Sequence, residues 1–389
     1  MSDAALSAIR RDNTLAVIGA LDAVGELSRA QLCAATALSR TTTHRILGEL
    51  MSAGVVIERS DSPSGPGRPG GLLSLNPQAR AVLGIELGRA QAAIVLLNWA
   101  GEITWSQEVK FDAAQEWGQG LQALLRLLDD GLAEDDLHML RYAVVGLHGL
   151  MPSSRDHMGD EEQDRRVGNL RQSLEAKLQV PVAVEGNIRL AGLAEYRTRG
   201  LSHEDLVYCH LSRGVGAAIL LDGKLRAGAT NSAGELGHTR VLDNGLPCHC
   251  GSHGCLETVI GVDRVLARAR TLRPDLRDFA HLCRVANYDP SLRALAKDTA
   301  HTLGRALGNL CNIINPEHIV LGGELAKLTD DWFSLVADGI DDTALLQVRK
   351  GLRLSPSLNS CVAAAHGAGL LALDHILGRV TILEGEQVS

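Results

Sequence analysis

The sequence predicts an α/β protein with a small winged helix-turn-helix head on a body of two lobes. Three observations carry that reading. Residues 13–75 pass through three helical stretches and two strands around a Gly/Pro/Ser-rich connection. Two Gly-centred strand pairs, in 82–103 and 206–225, stand roughly 120 residues apart, as duplicated α/β units would. Third, the stretch 234–257, GELGHTRVLDNGLPCHCGSHGCLE, gathers three cysteines and a histidine at metal-ligand spacing.

In the head, Leu15, Ile18 and Leu21 recur at helical spacing, and Gly25 ends that helix. Ser28 and Gln31 form a Ser-x-x-Gln capping box that opens a second helix. Thr36-Ala37-Leu38 turns the chain and Ser39 caps a third helix. Its buried stripe is Thr43, Ile46, Leu47 and Leu50, which leaves Arg40, Thr41, Thr42, His44 and Arg45 outside. Strands at Val55–Arg59 and Leu72–Leu75 flank SDSPSGPGRPGG, a wing with Arg68 in an extended Gly-Arg-Pro segment suited to a minor groove. The bland alternatives are a helical hairpin and a flexible linker. Helix, turn and wing occurring together favour a double-stranded DNA reader.

Composition limits the rest. The chain of 389 residues has room for two or three domains, and 22% charged residues is ordinary for a soluble globular protein. Three Phe and four Tyr offer little surface for stacking single-stranded bases. The start, MSDAALSAIRRDN, has no apolar h-region and no stretch is long enough to span a membrane. Cys33, Cys209, Cys283, Cys311 and Cys361 are scattered, mostly in apolar runs, as reduced thiols of a cytoplasmic protein would be. Net charge is −8; residues 1–80 hold eight Arg against seven acids, a net of +1, so the remainder carries −9. A near-neutral head on an acidic body is compatible with a small DNA-reading module.

Asn76-Pro77 marks the boundary to the body. Its first hairpin turns at Gly88, its second at Gly214 and Gly216, followed by an Asp222-Gly223 turn. Between them come a helix in 116–133, a buried strand at Tyr142–Leu147, a charged surface loop at 153–169, a strand at Val180–Glu185 and a helix at Arg189–Arg197. Residues 261–310 read as helical. A buried strand ends in Gly322-Gly323, and 361–378 forms a last helix.

Cys248, Cys250 and Cys255, with His238 ten residues upstream of the first, suit a closed, structural Cys₃His zinc site. A disulfide or a chance cluster is the alternative, and His249 and His253 are rival ligands that rank below His238.

These pieces together resemble the ROK family of repressors, open reading frames and sugar kinases. The likeness spans nearly the whole chain. It rests on Gly234-Glu235-Leu236-Gly237-His238, the Cys-x-Cys-Gly-x-x-Gly-Cys-Leu-Glu knuckle, Asn315-Pro316 with Gly322-Gly323, and a helix-turn-helix closing on Gly67-Arg68-Pro69. The resemblance implies an actin-like, ribonuclease H-like duplicated body with a sugar cleft, usually dimeric or tetrameric. It implies a head at 1–76 and a body at 77–389, with lobe one at 77–190 plus a C-terminal helix at 361–389 and lobe two at 191–360. Glu235, His238 and Glu257 match the residues with which the family's kinases hold sugar hydroxyls.

The departures from the kinases are instructive. Their Asn-Asp pair, whose Asp is the base, is Gly186-Asn187 here, and an amide cannot accept that proton. Their first phosphate hairpin, Asp-x-Gly-Gly-Thr, reads Glu86-Leu87-Gly88-Arg89-Ala90 here, and Arg213 of Ser212-Arg213-Gly214 replaces the Thr of the second. Gly186 and Arg189 replace polar residues used around the sugar. The expectation is therefore no enzyme but a sugar-responsive repressor of carbohydrate-metabolism genes that binds an inverted-repeat operator. Arg40, Thr41, Thr42, His44, Arg45 and Arg68 would touch DNA, and Asn187, Glu235, His238 and Glu257 a sugar effector. The alternatives are an ATP-dependent sugar kinase with a DNA-binding head and a regulator whose degenerate cleft senses no sugar.

Overall fold

The computed structural model describes residues 3–52, 54–59, 71–76, 80–89, 91–111, 117–148, 161–358, 362–377 and 382–384. The head is built from α1 (Asp3–Val24), α2 (Arg29–Thr36), α3 (Arg40–Ser52) and a hairpin of β1 (Val56–Arg59) and β2 (Leu72–Leu75). α1 starts ten residues earlier than apolar spacing alone suggested. It ends where Gly25 takes φ +87 and donates its N–H to Leu21 O at 2.8 Å. The capping box forms: Gln31 N donates to Ser28 Oγ at 3.3 Å and Ser28 N to Gln31 Oε1 at 2.9 Å. Ala37, in the left-handed region, turns the chain into α3. Val17, Ile18, Leu21, Leu32, Ile46, Leu47 and Leu73 are all buried, so the three helices and the hairpin share one small core. Arg29 pairs with Glu58 at 2.8 Å and fixes β1 against the start of α2.

The first five-stranded sheet follows: β3 (Arg80–Leu87), β4 (Gln91–Asn98), β5 (Ile103–Lys110), then α4 (Trp117–Gly131), α5 (Glu134–Met139), β6 (Tyr142–Leu147), α6 (Glu161–Leu178) and β7 (Val182–Gly186). The strand order is β5-β4-β3-β6-β7, antiparallel across β3 to β5 and parallel from β3 to β6. The expected loop at 153–169 is only partly a loop. From Glu161 the chain is helical, because Leu170, Leu174 and Leu178 recur on one face and are buried despite the surrounding charge. Residues 153–160 lie outside the described residues.

The second half repeats that order. It comprises α7 (Asn187–Thr198), β8 (Leu206–Leu211), β9 (Val215–Leu221), β10 (Lys224–Gly228), α8 (Leu256–Ile260), α9 (Val262–Leu272), α10 (Phe279–Ala286), α11 (Pro290–Ile314), β11 (His318–Gly322), α12 (Trp332–Asp341), α13 (Leu346–Arg349) and β12 (Arg353–Pro356). α14 (Ala363–Ile376) and β13 (Ile382–Glu384) complete the chain. The order β10-β9-β8-β11-β12 is that of the first sheet, with β13 added beyond β10. Two sheets with the same order and the same leading antiparallel triplet are the mark of duplication that the two Gly-centred hairpins foreshadowed. One face of the second sheet, through Val207, Cys209 and Leu211, packs in a core with Leu303, Leu307 and Cys311 of α11 and Trp332 and Val336 of α12.

The chain divides into two compact units: Met1–Leu147, Asp160–Glu185 and Ala368–Thr381; and His148–Gly159, Gly186–Gly367 and Ile382–Ser389. The division differs from the one implied by resemblance. α7 belongs with the second sheet, where a Cβ at Gly192 would stand 2.4 Å from Ala218 Cβ. Its Glu195, wholly buried, accepts from Arg199 Nε at 2.7 Å, Ser357 Oγ at 2.7 Å and Leu358 N at 3.0 Å. The helix expected over 361–378 runs Ala363–Ile376; of the C-terminal segment that resemblance extends to 389, Ile382–Glu384 instead runs parallel to β10 as a strand of the second sheet.

One carboxyl in the first unit makes the fold pH-sensitive. Glu86 of β3 is 9% exposed; Gln91 Nε2 donates to its Oε1 at 3.3 Å, and its Oε2 is buried without a partner among the described residues. Burial pushes its pKa up to about 7, and Glu108 adds to the rise. The folded protein therefore holds a proton that the unfolded chain releases near 4.5, so this group's contribution to stability falls as pH rises from about 4.5 through 7. Glu86→Gln is expected to flatten that slope and to gain on the order of 2 kcal/mol over the wild type at pH 8. Urea melts at pH 5 and pH 8 check it, and an unchanged slope would refute the assignment.

Candidate functional site

The knuckle is a loop folded onto itself. Val241 N donates to Gly254 O, Cys248 N to Ser252 O and Leu256 N to Thr239 O, each at 2.8 Å. These bonds bring together ligand atoms of His238, Cys248, Cys250 and Cys255, all within 4.8 Å of one another. Cys250 Sγ and Cys255 Sγ are 3.7 Å apart, and Cys248 Sγ lies 3.5 Å from His238 Nδ1. A disulfide needs about 2.0 Å between sulfurs. A tetrahedral ion bound at about 2.3 Å to sulfur and about 2.0 Å to nitrogen needs edges of about 3.8 and 3.5 Å. The donors therefore fit a metal ion and not a disulfide. His249 is a weaker candidate: its Nδ1 is 3.9 Å from Cys248 Sγ and the side chain is 70% exposed. The Cys248–His249–Glu257 grouping shares Cys248 with the first set.

His238 has two faces. With Nδ1 on the sulfur side, its Nε2 points to Glu235 Oε2, 3.7 Å away. A metal on Nδ1 leaves the hydrogen on Nε2 and so fixes the ring as a donor on the Glu235 side. Burial pushes the Glu235 carboxyl above the ordinary range, while His238 and Arg189 pull it back. Cys255 precedes α8, and Glu257 in the first turn of that helix sends Oε2 to accept from Val215 N at 3.0 Å. Its Oε1 lies 3.3 Å from His249 Nδ1. Glu257 thus ties the knuckle to the hairpin of β8 and β9, a link that spacing could not reveal.

Asn187 opens α7, and its Oδ1 is buried with no hydrogen-bond partner among the described residues. Two residues on, Arg189 is 7% exposed and donates from Nη1 to Asn231 O at 2.7 Å. The structure therefore gathers Glu235, His238 and Glu257, with Arg189 close enough to act on Glu235. Arg213 is exposed at the second hairpin, 3.6 Å from Asp263.

In the head, Arg40, Thr41, His44 and Arg45 of α3 are exposed. Thr42 is half-buried, with Oγ1 2.8 Å from Ser39 Oγ and its N–H donating to that oxygen at 3.1 Å, so its first role is in the helix cap. Arg45 pairs with Glu49 at 2.7 Å along the helix. Arg68 and the 60–70 connection lie outside the described residues, as do Ala90 and Cys361.

Residues 82–374 match the ROK family, and residues 12–59 the IclR helix-turn-helix domain. The chain belongs to the ROK family. It is 27% identical, over 93% of both chains, to the DNA-binding transcriptional repressor Mlc of Escherichia coli K12. It is 24% identical to the xylose repressor of Bacillus subtilis, covering 92% of this chain and 93% of that one. Among solved structures, a ROK family transcriptional regulator described as a homolog of E. coli Mlc superimposes with TM-score 0.72 at 23% identity, over 95% of this chain and 96% of that one. The ROK hexokinase of Thermus thermophilus does so with TM-score 0.64 at 24% identity, over 76% of this chain and 99% of the hexokinase, which shows that the body has the same fold.

Metal loading is directly observable. Titration with cobalt(II) is expected to give one ion per chain with a thiolate charge-transfer absorption. Cys250→Ser should lose that band and lower the melting temperature by several degrees, since an ion at about a thousand times its Kd stabilises by about 4 kcal/mol. Equal melting curves with and without metal would remove the site from the argument.

Proposed function

We propose that this ROK protein is a DNA-binding transcriptional repressor of carbohydrate genes whose operator affinity is set by a sugar or sugar derivative held in the second unit. The observation that carries the reading is the side chain at position 187. The resemblance puts a proton-accepting Asp there in the kinases; Asn187 has a buried carbonyl oxygen that can accept a hydrogen bond from a hydroxyl but cannot remove its proton. The site is thus equipped to bind a polyol and not to activate it. Glu235 and Glu257 would accept from vicinal hydroxyls and His238 Nε2–H would donate to one.

Zinc is the ion that suits three thiolates and an imidazole, and a closed site makes it structural. Its part is to hold His238 and Glu257 in place; no chemical step runs through it. Arg40, Thr41, His44 and Arg45 would reach base edges and phosphates of the major groove, with Thr42 capping behind them and Arg68 in the minor groove. A homodimer or homotetramer would match a two-fold operator. The names of the relatives support this reading: Mlc is described as a repressor, NagC of E. coli as a dual regulator, and the B. subtilis protein as a xylose repressor. A ligand regulates only if it binds the DNA-competent and DNA-incompetent states with different affinity.

The test is operator binding by fluorescence anisotropy at sites mapped in the genome, with a panel of sugars. At least one sugar is expected to shift Kd tenfold or more, about 1.4 kcal/mol. Arg40→Ala should weaken DNA binding by about 1–3 kcal/mol without changing the melting temperature. No ATP turnover is expected over the same panel. Turnover would restore the kinase reading, and indifference to every sugar would sink the sensing half.

A further inference from the structure

Arg189 lies in the first turn of α7 at 7% exposure. A guanidinium stays inside a protein only when its donors are met, because desolvation costs several kcal/mol otherwise. One donor is spent on a backbone oxygen: Nη1 bonds Asn231 O at 2.7 Å. Asn231 stands at the tip of residues 228–234, the strap that leaves β10 and leads into Glu235. Asn231 takes φ +57, where Asn is tolerated, and Gly234 takes φ +95.

Backbone bonds close the strap at its base, and Asn231 N also donates to Gly228 O within it at 3.4 Å. Ala233 N donates to Ala227 O at 3.0 Å, and Ala217 N to Gly234 O at 2.7 Å. The second contact is so close that a Cβ at Gly234 would stand 2.0 Å from Ala217 O. The tip is held by a side chain from another element. That element is tied to the chain beyond β12, since the wholly buried Glu195 of α7 accepts from Ser357 Oγ and Leu358 N. Gly186 completes the arrangement. A Cβ there would lie 3.6 Å from Arg189 Nη2, 3.7 Å from Cζ and 3.9 Å from Nε, so the guanidinium lies against this glycine. One methyl fits at that spacing; a longer side chain would take the space the guanidinium occupies.

We infer that Arg189 is a positioning residue that clamps the 228–234 strap to α7 and thereby sets where Glu235 stands, with Gly186 leaving the room the clamp requires. The inference rests on the reading of Glu235 as a ligand contact for its functional meaning, but the clamp itself is a separate physical claim. Arg189 acts on a ligand through the strap.

Hydrogen–deuterium exchange on the full-length, metal-loaded protein without added sugar tests it. Arg189→Met is expected to raise exchange in peptides covering 229–235 at least tenfold, with peptides of α11 unchanged. Arg189→Lys, which keeps a charge and a donor, should restore most of the protection. Gly186→Ala should behave as wild type, and Gly186→Asn should loosen the strap as Arg189→Met does. The second route keeps the test available if the Met variant does not fold. Thermal shifts with xylose, glucose and N-acetylglucosamine on the same proteins read the consequence: a sugar that stabilises the wild type should lose its shift in Arg189→Met and regain it in Arg189→Lys. Unchanged strap exchange in Arg189→Met and Gly186→Asn overturns the clamp whatever the sugars do. A loosened strap in a protein whose wild type answers to none of these sugars supports the clamp and counts against the sugar reading alone.

Discussion

Closure of the knuckle is the constraint on which the site depends. Ligand atoms from four positions spread over eighteen residues meet within 4.8 Å, and the loop must double back tightly for that to happen. A Cβ at Gly245 would lie 2.4 Å from Gly254 Cα, which shows how closely the two arms run. The consequence reaches both ends of the loop. His238 is the first of the four donors, and its second nitrogen is aimed at Glu235. Cys255 is the last and immediately precedes α8, so Glu257 emerges two residues later already directed at Val215 N. A metal that only braced the loop would still fix the direction of an imidazole and a carboxylate.

Charges of opposite sign meet around the knuckle of the second unit. Glu235 is raised by burial and pulled down by His238 and Arg189. Glu257 satisfies a backbone N–H with one oxygen and meets His249 with the other. An aspartate at 187 would add a further buried negative charge; Asn187 keeps an acceptor without it. In the first unit Glu86 has no such compensation, and its carboxyl is pushed up to about 7. Both units carry a carboxylate at a strand or turn end near the glycine hairpins, but only in the second do cations meet it among the described residues.

The head was largely legible in sequence because its determinants are local. A capping box, the Thr36-Ala37-Leu38 turn and a four-residue buried stripe act within a few positions of one another, and the structure forms each of them, with Ala37 in the left-handed region. The duplicated sheet was legible from glycine punctuation, for the same reason. The helix α6 was misread because charge at 161–169 outweighed the apolar face that Leu170, Leu174 and Leu178 continue beyond it. The final strand was missed because three residues carry no periodicity, and their assignment comes from an unsatisfied edge on β10.

By itself the sequence determined most of the elements, the family and the candidate metal donors, since spacing along the chain decides which side chains a short loop can bring together. It also determined the chemistry available at position 187, because an amide there is an amide in any fold. Tertiary structure alone decided which unit owns α7, that Glu257 binds the backbone of a hairpin 42 residues away, and that Arg189 reaches Asn231 across the same separation. Those contacts join elements that are distant in sequence. They arise from the packing of a helix against a sheet, and nothing in residue type or spacing encodes which carbonyl a buried guanidinium will find.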